Sequence, residues 1–85
     1  MASYSVVIRR SAAKELEGVP RKDCVRIIER IQSLASEPRP AGAEKLAGAD
    51  KYRVRQGTYR VVYEIADKVV VVTIVKVAHR REVYR

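Results

Sequence analysis

The sequence predicts an α+β domain in which a helical hairpin packs on one face of a largely antiparallel four-stranded sheet, in the order β-α-α-β-β-β. Three observations support this prediction. Apolar residues recur at helical spacing in the first half, polar and apolar residues alternate in the second half, and one stretch near the end is almost entirely β-branched. The 85 residues, 47% hydrophobic and 33% charged, suit a single domain spanning 1–85 with one small core.

The N-terminal half of the chain predicts one strand followed by two helices. Tyr4 to Ile8 is rich in residues that favour strands. Ser11 is the expected N-cap of a short helix that ends at Gly18. A second helix is expected from Pro20, at its first helical position, until Pro38 prevents its continuation. Its predicted core-facing residues recur at helical spacing and are Val25, Ile28, Ile31, Leu34 and Ala35.

The C-terminal half predicts a hairpin-rich sheet. A connection rich in proline and glycine, residues 38–50, leads into it, and one helical turn is expected within that connection at Glu44 to Ala47. The last predicted strand is almost continuously apolar, which is typical of a strand covered on both faces and flanked within the sheet. The predicted strands and turns are, in order, Tyr52 to Arg55, a turn at Gln56 and Gly57, Thr58 to Ala66, a turn at Asp67 and Lys68, and Val69 to Val77.

The composition restricts the classes of function. A formal net charge of +8 and an isoelectric point of about 10.1 favour a polyanion or an acidic protein as partner. Twelve arginines outnumber six lysines, and the guanidinium group is the better bidentate phosphate ligand, so nucleic acid is favoured. Cys24 is the only cysteine and no cofactor motif is present, so no disulfide, metal or nucleotide cofactor is expected. No apolar stretch approaches the roughly 18 residues of a membrane span and no secretory pattern opens the chain, so cytoplasmic residence is expected.

Basic residues concentrate on the predicted strands and on a short basic C-terminal tail. Strand alternation puts Arg53 and Arg55 on the face opposite to Tyr52 and Val54, and the same rule separates Arg60 from its apolar neighbours. If the apolar set packs under the helices, the three arginines project together from the opposite, open face. The tail follows the central strand and is expected to lie beside them. It contributes His79, Arg80, Arg81, Tyr84 and Arg85.

Clustered arginines with interleaved tyrosines suit an RNA strand, for binding alone or for cleavage. An RNA phosphodiester carries its own nucleophile, the 2′-hydroxyl. An enzyme therefore needs to orient that group, accept its proton and stabilise the charge that develops on the phosphate. Arginine stabilises such charge, but it stays protonated and cannot act as the base. The candidates for proton transfer are Tyr84, a phenol among cations, and His79, an imidazole.

The same residues also have purely structural interpretations. Arg53 and Arg55 alone are typical of a solvated strand face, and the tail arginines alone are typical of an ordinary basic end. The tyrosines are better suited to packing than to base stacking, because a phenol ring can be buried while its oxygen stays in water. The tyrosines concerned are Tyr52, Tyr59 and Tyr63.

Five segments, taken in order along the chain, match the pattern of a known family. They are Pro38-Arg39-Pro40, Lys45-Leu46-Ala47-Gly48, Tyr52-Arg53-Val54-Arg55, Gly57-Thr58-Tyr59-Arg60-Val61-Val62-Tyr63 and His79-Arg80-Arg81-Glu82-Val83-Tyr84. Together they resemble the RelE family of toxins from type II toxin–antitoxin systems. Each segment is weak alone, but their order, spacing and the chain length are specific in combination. The resemblance spans nearly the whole chain, and the fold it implies agrees with the predicted elements.

The resemblance implies a metal-independent, ribosome-dependent endoribonuclease that cuts mRNA in the ribosomal A site by 2′-hydroxyl attack and so inhibits translation. The products would be a 2′,3′-cyclic phosphate and a 5′-hydroxyl. Carried over by position, the family's basic pair falls on Arg53 and Arg55, its strand arginine on Arg60, its tail arginine on Arg80 and its tail tyrosine on Tyr84. His79 is a further catalytic candidate, and the substrate-binding candidates are Lys51, Arg53, Arg55 and Arg81.

One departure from the family pattern affects the chemistry. The best-known members resembled here have lysines at the positions of Arg53 and Arg55. A lysine can lose its proton in a cationic pocket, whereas an arginine cannot. The sequence therefore offers one acid or base fewer, and Tyr84 or His79 has to carry more of the proton transfer.

The resemblance also implies a partner and leaves competing functions open. The expected partner is a RelB-like antitoxin, acidic or amphipathic, that docks along the apolar surface of the helices, with operator DNA bound only through it. The first competing function is that of a ParE-like toxin, which inhibits DNA gyrase without cutting RNA. The others are a non-catalytic RNA-binding module and a decayed toxin that only binds its antitoxin. The combined presence of Arg60, Arg80 and Tyr84 favours the nuclease.

Overall fold

The computed structural model describes residues 3–46 and 50–79, and it confirms the predicted α+β class. Over these residues the sheet has five strands, in the order β1-β5-β4-β3-β2, instead of the predicted four. Two helices pack on one of its faces. The elements are β1 Ser5–Ile8, α1 Arg10–Glu17, α2 Arg21–Ser33, β2 Glu44–Lys45, β3 Lys51–Gln56, β4 Tyr59–Ala66 and β5 Val71–His79.

The additional strand is β2, at one edge of the sheet. Its two residues pair antiparallel with β3, Glu44 opposite Arg53 and Lys45 opposite Tyr52. The helical turn predicted for Glu44 to Ala47 is therefore wrong at its first two residues, and Ala47 lies outside the described residues. The reason is that Glu44 forms an ion pair with Arg53 across the strands. A cross-strand pair of opposite charge stabilises the sheet, whereas a single isolated helical turn is unfavourable.

Strand β5 lies inside the sheet, as predicted, because it pairs parallel with β1 on one side and antiparallel with β4 on the other. It begins at Val71 instead of Val69. The turn before it extends through Val70, whose φ of 58° is incompatible with a continuing strand. The other strand pairs are antiparallel, so the sheet is largely antiparallel with one parallel edge strand.

Both helices begin at residues other than those predicted. The N-cap of α1 is Arg9, not Ser11, and the N-cap of α2 is Pro20, which was expected to be the first helical residue. The backbone N–H of Arg9 still donates to the carbonyl oxygen of Ile74, while its own carbonyl accepts from Ala13. The chain therefore passes from strand pairing to helix within one residue, which leaves no turn for Ser11 to cap.

The buried side of α2 differs from the predicted side. Ile27, Ile31 and Leu34 are buried, as are Ala12 and Leu16 of α1. Ile31 and Leu34 were predicted correctly, but Val25 and Ile28 were not, because they are 50% and 37% exposed. Adjacent apolar residues at 27 and 28 make two helix rotations compatible with the pattern. Ile27 spaces correctly with Ile31 and Leu34, so that rotation buries three large side chains on the sheet.

Tyr63 is the largest fully buried side chain of the core. It lies on β4 facing the helices, and its hydroxyl donates a hydrogen bond of 2.7 Å to the carbonyl oxygen of Pro38. Burial raises the pKa of Tyr63 to about 12, so its phenol stays neutral. Tyr52 stacks on this ring with centroids 5.9 Å apart, and Tyr52 and Tyr59 both pack against the core. All three tyrosines therefore have packing roles.

A polar cluster ties the connection after α2 to the far end of the sheet. Arg39 donates to both carboxylate oxygens of Asp67, at 3.3 and 2.8 Å, and its Nε donates to the hydroxyl of Tyr52 at 3.1 Å. The Tyr4 hydroxyl donates to Asp67 at 2.7 Å. The two donors, Arg39 foremost, hold the pKa of Asp67 below its ordinary value. This cluster, called the Arg39–Asp67 cluster below, joins the turn between β4 and β5 to the start of the chain's first strand.

The lowered pKa of Asp67 predicts an acid-dependent loss of stability. A carboxyl group with a lower pKa in the folded state stabilises the fold above its unfolded-state pKa, and that contribution is lost as pH falls through the folded-state value. Both partners are exposed, so the contribution is small. Asp67→Asn is expected to lower Tm by only a few degrees at pH 7 and to leave no difference from the parent chain near pH 2. A difference in Tm that persists unchanged at low pH would contradict this assignment; Asp50→Asn, an exposed acid without an ion pair in the described chain, is the control.

Candidate functional site

The strand arginines lie together on the sheet face opposite the helices. Tyr52 and Val54 pack toward the helices, so alternation directs Arg53 and Arg55 the other way. Arg60 lies between core residues of β4 and has the same orientation. In the register of the hairpin, Arg55 is directly opposite Arg60, and Arg53 is the diagonal neighbour of Arg60. These three residues are called the arginine cluster below.

The arginine cluster is more buried than the sequence predicts. Arg53 and Arg60 are 8% and 5% exposed, and only Arg55 is an exposed cation. The expectation of an open face is therefore wrong at two of the three positions. Arg60 lies on the central strand β4, between Arg55 on one side and the buried Ala78 on the other. A cation in this position is surrounded by less water than one on an edge strand, so its field on a bound anion is stronger.

Arg53 differs from its neighbours because it has an acidic partner within the sheet. Its Nη2 forms a charge-assisted hydrogen bond with Glu44 of β2. This contact holds the two-residue edge strand against β3 and offsets part of the Arg53 charge. The sequence analysis missed Glu44 as a site residue, because the contact depends on a strand pairing that the local pattern does not reveal.

Arg55 and Arg60 form a directly opposed pair of like charges. Side chains in this relation have Cβ atoms roughly 4.5 to 5.5 Å apart, and like charges at that separation destabilise a sheet. The hairpin turn next to them, with Gly57 at φ 61°, fixes the register and therefore the pairing. Guanidinium groups are good ligands for phosphate oxygens, so two arginines at opposed positions of the hairpin suit a phosphate group.

The other predicted site residues are not all brought to this face. His79 is opposite Tyr59 in the register, and the two rings pack at nearly right angles with centroids 5.5 Å apart, on the helix side of the sheet. Its neighbour Ala78 is opposite Arg60. Lys51 is on the same face as Arg53 and Arg55, but at the far end of β3, opposite Glu64. Three predicted residues lie outside the described residues, namely Arg80, Arg81 and Tyr84.

A pocket of about 230 Å³ lies between the end of α1 and the ends of β4 and β5, where His79 and Tyr59 form part of its wall. Glu15 of α1 lines it as well, and its carboxylate accepts from the backbone N–H of Val77 at 2.9 Å and from Nζ of Lys76 at 3.0 Å. Strand β1 pairs with β5 only as far as Ile74. The backbone N–H of Val77 therefore has no partner on β1, and the Glu15 carboxylate accepts its hydrogen bond instead. The sequence analysis missed Glu15, although the difference in length between the two strands was a usable signal.

Neither a metal centre nor a membrane span is found in the described part of the chain. Over residues 3–46 and 50–79 no group of three or more His, Cys, Asp or Glu side chains is placed to hold a metal ion. The helices within those ranges are too short and too polar to cross a membrane. Cys24 is half-buried and packs against the core, which fits the filling role that its position on α2 indicates.

Sequence comparison identifies relatives along nearly the whole chain. Residues 6–84 match the family model described as the ParE toxin of the type II toxin–antitoxin system parDE. Among curated proteins, the chain is 33% identical to toxin RelG of Mycobacterium tuberculosis over 86 residues, which covers 96% of this chain and 97% of the relative.

Two solved structures show the same fold at comparable identity. One is the toxin–antitoxin complex RelBE2 of Mycobacterium tuberculosis, with a TM-score of 0.84, 30% identity and 94% of each chain covered. The other is the archaeal RelE–RelB complex of Pyrococcus horikoshii, with a TM-score of 0.80, 32% identity, and 92% of this chain and 96% of the other covered. The family match over residues 6–84, the near-complete coverage of toxin RelG and the shared fold lead to one conclusion: the chain belongs to the RelE/ParE superfamily of type II toxin–antitoxin toxins.

Proposed function

We propose that this toxin is a ribosome-dependent endoribonuclease that cuts mRNA in the ribosomal A site. The observation that supports this most directly is the opposed pair Arg55 and Arg60, which places two cations at neighbouring positions of one sheet face and so suits a phosphate group. The RelE relatives by sequence and structure add support to the same proposal.

In the proposed reaction the 2′-oxygen of one nucleotide attacks the adjacent phosphorus and the bond to the 5′-oxygen of the next nucleotide breaks. Arg60 stabilises the charge on the phosphate oxygens, because it is the most buried member of the arginine cluster and needs little reorganisation. Arg55, which is exposed, binds the incoming phosphate, and Arg53 supports the cluster through Glu44. The products are a 2′,3′-cyclic phosphate and a 5′-hydroxyl, and the reaction requires no metal.

The proton transfers are assigned to residues other than arginine. Tyr84 is the proposed acceptor of the 2′-hydroxyl proton, and the leaving 5′-oxygen takes up a proton from water to become the 5′-hydroxyl. Arg80 is proposed to assist Arg60. The roles of Tyr84 and Arg80 come from the RelE resemblance. His79 is the weaker candidate, because it lies with Tyr59 on the helix side of the sheet. The substrate-binding roles of Arg81 and Lys51 likewise remain proposals, with Lys51 at the far end of the face.

The proposed protein partner is a RelB-like antitoxin encoded near the toxin. The two solved relatives described above are complexes of toxins with their antitoxins. On this chain, Val25 and Ile28 leave an apolar strip exposed on α2, at the one-turn spacing that an amphipathic segment recognises. The net charge of +8 favours an acidic segment. In the proposed complex the antitoxin binds operator DNA, and the toxin contacts the DNA only through the antitoxin.

Inhibition of DNA gyrase is a second candidate function, because the matching family model is that of the ParE toxins. The two candidates differ in what happens to nucleic acid. A gyrase inhibitor leaves RNA intact and reduces supercoiling, whereas the proposed nuclease shortens mRNA and leaves supercoiling unchanged.

The decisive experiment incubates the purified chain with ribosomes programmed with a defined mRNA and maps the ends by primer extension. We expect cuts confined to the A-site codon, with 2′,3′-cyclic phosphate ends that resist direct ligation. The same mRNA without ribosomes is the control and should remain intact. Intact mRNA in the programmed ribosomes, together with lost supercoiling in a parallel gyrase assay, would replace the nuclease by the second candidate.

A further inference from the structure

The last residues of β5 have a neighbouring strand on one side only. Strand β1 pairs with β5 as far as Ile74 and no further. Among the strands of the described chain, the residues that follow pair with β4 alone. They are residues 76–79, called the β5 end below. Ala78 of the β5 end lies directly opposite Arg60, and the predicted tail residues follow His79 in the sequence. The β5 end therefore borders the most buried cation of the arginine cluster.

A β-bulge separates the β5 end from the rest of its strand. Tyr63 of β4 is opposite Ile74, whereas Val62 is opposite Lys76, so Val75 is an additional residue on β5. A bulge interrupts the ladder of hydrogen bonds, bends the strand and changes the direction of its side chains. The pairing that precedes the bulge therefore does not fix the direction of the β5 end.

Glu15 of α1 binds the β5 end immediately after the bulge. One carboxylate oxygen accepts from the backbone N–H of Val77 at 2.9 Å, and the other accepts from Nζ of Lys76 at 3.0 Å. Hydrogen bonds to a charged group are stronger than neutral ones. The helix that carries Glu15 is itself fixed, because its residues Ala12 and Leu16 are buried in the core. Glu15 thus supplies the lateral contact that β1 does not reach.

We infer that Glu15 is a positioning residue for the cleavage reaction, because it fixes the direction of the β5 end relative to Arg60. It acts through the backbone at Val77 and not by contact with the substrate. An error of about 1 Å in the position of a reacting group can cost roughly 100-fold in rate, so a single bond at this point has a large effect. The inference rests on the proposed function, since it concerns the reaction assigned to the arginine cluster.

The test compares two uncharged replacements of Glu15 in the full chain. Glu15→Gln keeps an oxygen that accepts from the Val77 N–H, whereas Glu15→Met is similar in size and helix preference but has no such oxygen. Both remove the charge and the ion pair with Lys76, so the difference between them isolates the bond to the backbone. Glu17→Gln and Glu17→Met are the matched controls, because Glu17 is an exposed acid on the same helix without an ion pair in the described chain.

Cleavage is measured over a range of concentrations of programmed ribosomes, which separates the maximal rate from the concentration that gives half of it. We expect Glu15→Met to lower the maximal rate roughly 10- to 100-fold and to change the half-maximal concentration less than about twofold. Glu15→Gln should stay within about threefold of the parent rate, as should both Glu17 variants. A folded Glu15→Met chain that cuts at the parent rate would overturn the inference. Equal slowing by Glu15→Gln and Glu15→Met would overturn it as well.

Amide hydrogen exchange of the free chain measures the same bond without any reaction. In Glu15→Met the Val77 amide is expected to exchange about 10- to 100-fold faster than in the parent, the range for loss of one hydrogen bond to a charged group. The Arg9 amide donates to the carbonyl oxygen of Ile74 at 3.0 Å, before the bulge, and should exchange at the parent rate. Equal acceleration at both amides would mean a general loss of stability and would overturn the inference. If Glu15→Met does not fold, Glu15→Ala replaces it in both measurements.

The inference and the proposed function fail in different ways. If the parent chain cuts A-site codons and Glu15→Met cuts them equally fast, the nuclease is retained and the inference is wrong. If the parent chain cuts no mRNA in programmed ribosomes, the nuclease is wrong, and the positioning role is wrong with it whatever the exchange rates are.

Discussion

Replacing Arg60 with alanine is expected to slow cleavage of ribosome-bound mRNA by roughly 100- to 1,000-fold, the range seen when one preorganised donor to a developing negative charge is removed. Arg60 is the most buried cation of the arginine cluster, 5% exposed on β4, the central strand of the sheet. Its charge acts where little water competes, so water does not replace it when the side chain is removed. The rate is to be measured with saturating ribosomes, so that binding does not limit it.

Two further variants separate charge from geometry and from folding. Arg60→Lys keeps the positive charge but loses the planar pair of donors, and we expect an intermediate rate. Arg10→Ala, an exposed arginine on α1, is the control and should cut at the parent rate. Thermal unfolding of each variant shows whether the fold survives. A folded Arg60→Ala chain that cuts within threefold of the parent rate would remove Arg60 from the reaction.

Replacing Tyr63 with alanine is expected to cost about 3 to 5 kcal/mol of the free energy of unfolding, as for other large aromatic side chains in cores. Tyr63 is fully buried and stacks on Tyr52, and its hydroxyl donates a hydrogen bond to the carbonyl oxygen of Pro38. Alanine removes the ring and leaves the Pro38 carbonyl without that donor. For a domain of this size a loss of this magnitude is comparable with the whole stability. Urea denaturation at pH 7 measures it.

The contributions of ring and hydroxyl can be measured separately. Tyr63→Phe keeps the ring and removes only the donor, and about 1 to 2 kcal/mol of the loss is expected. Val69→Ala changes an exposed side chain in the turn before β5 and should stay within about 0.5 kcal/mol of the parent. A loss below about 1 kcal/mol for Tyr63→Ala would show that the core refills the space and that Tyr63 is not a key packing residue.

The features that could be predicted from the sequence are those fixed by short-range periodicity. The alternation of Tyr52, Arg53, Val54 and Arg55 permits only two orientations, and burial of the apolar pair selects one. The continuous β-branched stretch likewise predicts an interior strand, which the pairing of β5 with β1 and β4 confirms. The family could be predicted because its motifs combine over nearly the whole chain.

The features that could not be predicted depend on partners distant in sequence. Ile27 and Ile28 are equally apolar neighbours, and only the packing of α2 on the sheet decides which is buried. Glu44 becomes a strand residue because Arg53 is opposite to it, and the burial of Arg60 was not visible in the alternation of its strand. The place of His79 on the helix side follows from its register with Tyr59, which local alternation alone did not supply.

The parallel pairing of β1 with β5 has a consequence for synthesis of the toxin. Strand β5 supplies Val72, Ile74 and Val77 to the core and bonds to strands on both sides, yet it is translated after every other described element. Ser5 pairs with Val71, so β1 has no neighbouring strand until β5 has been synthesised. Pairing of such distant segments makes folding late and non-local. A nascent chain whose residues 71–79 are still within the exit tunnel therefore has no completed sheet, and its first strand has no pairing partner among the described strands.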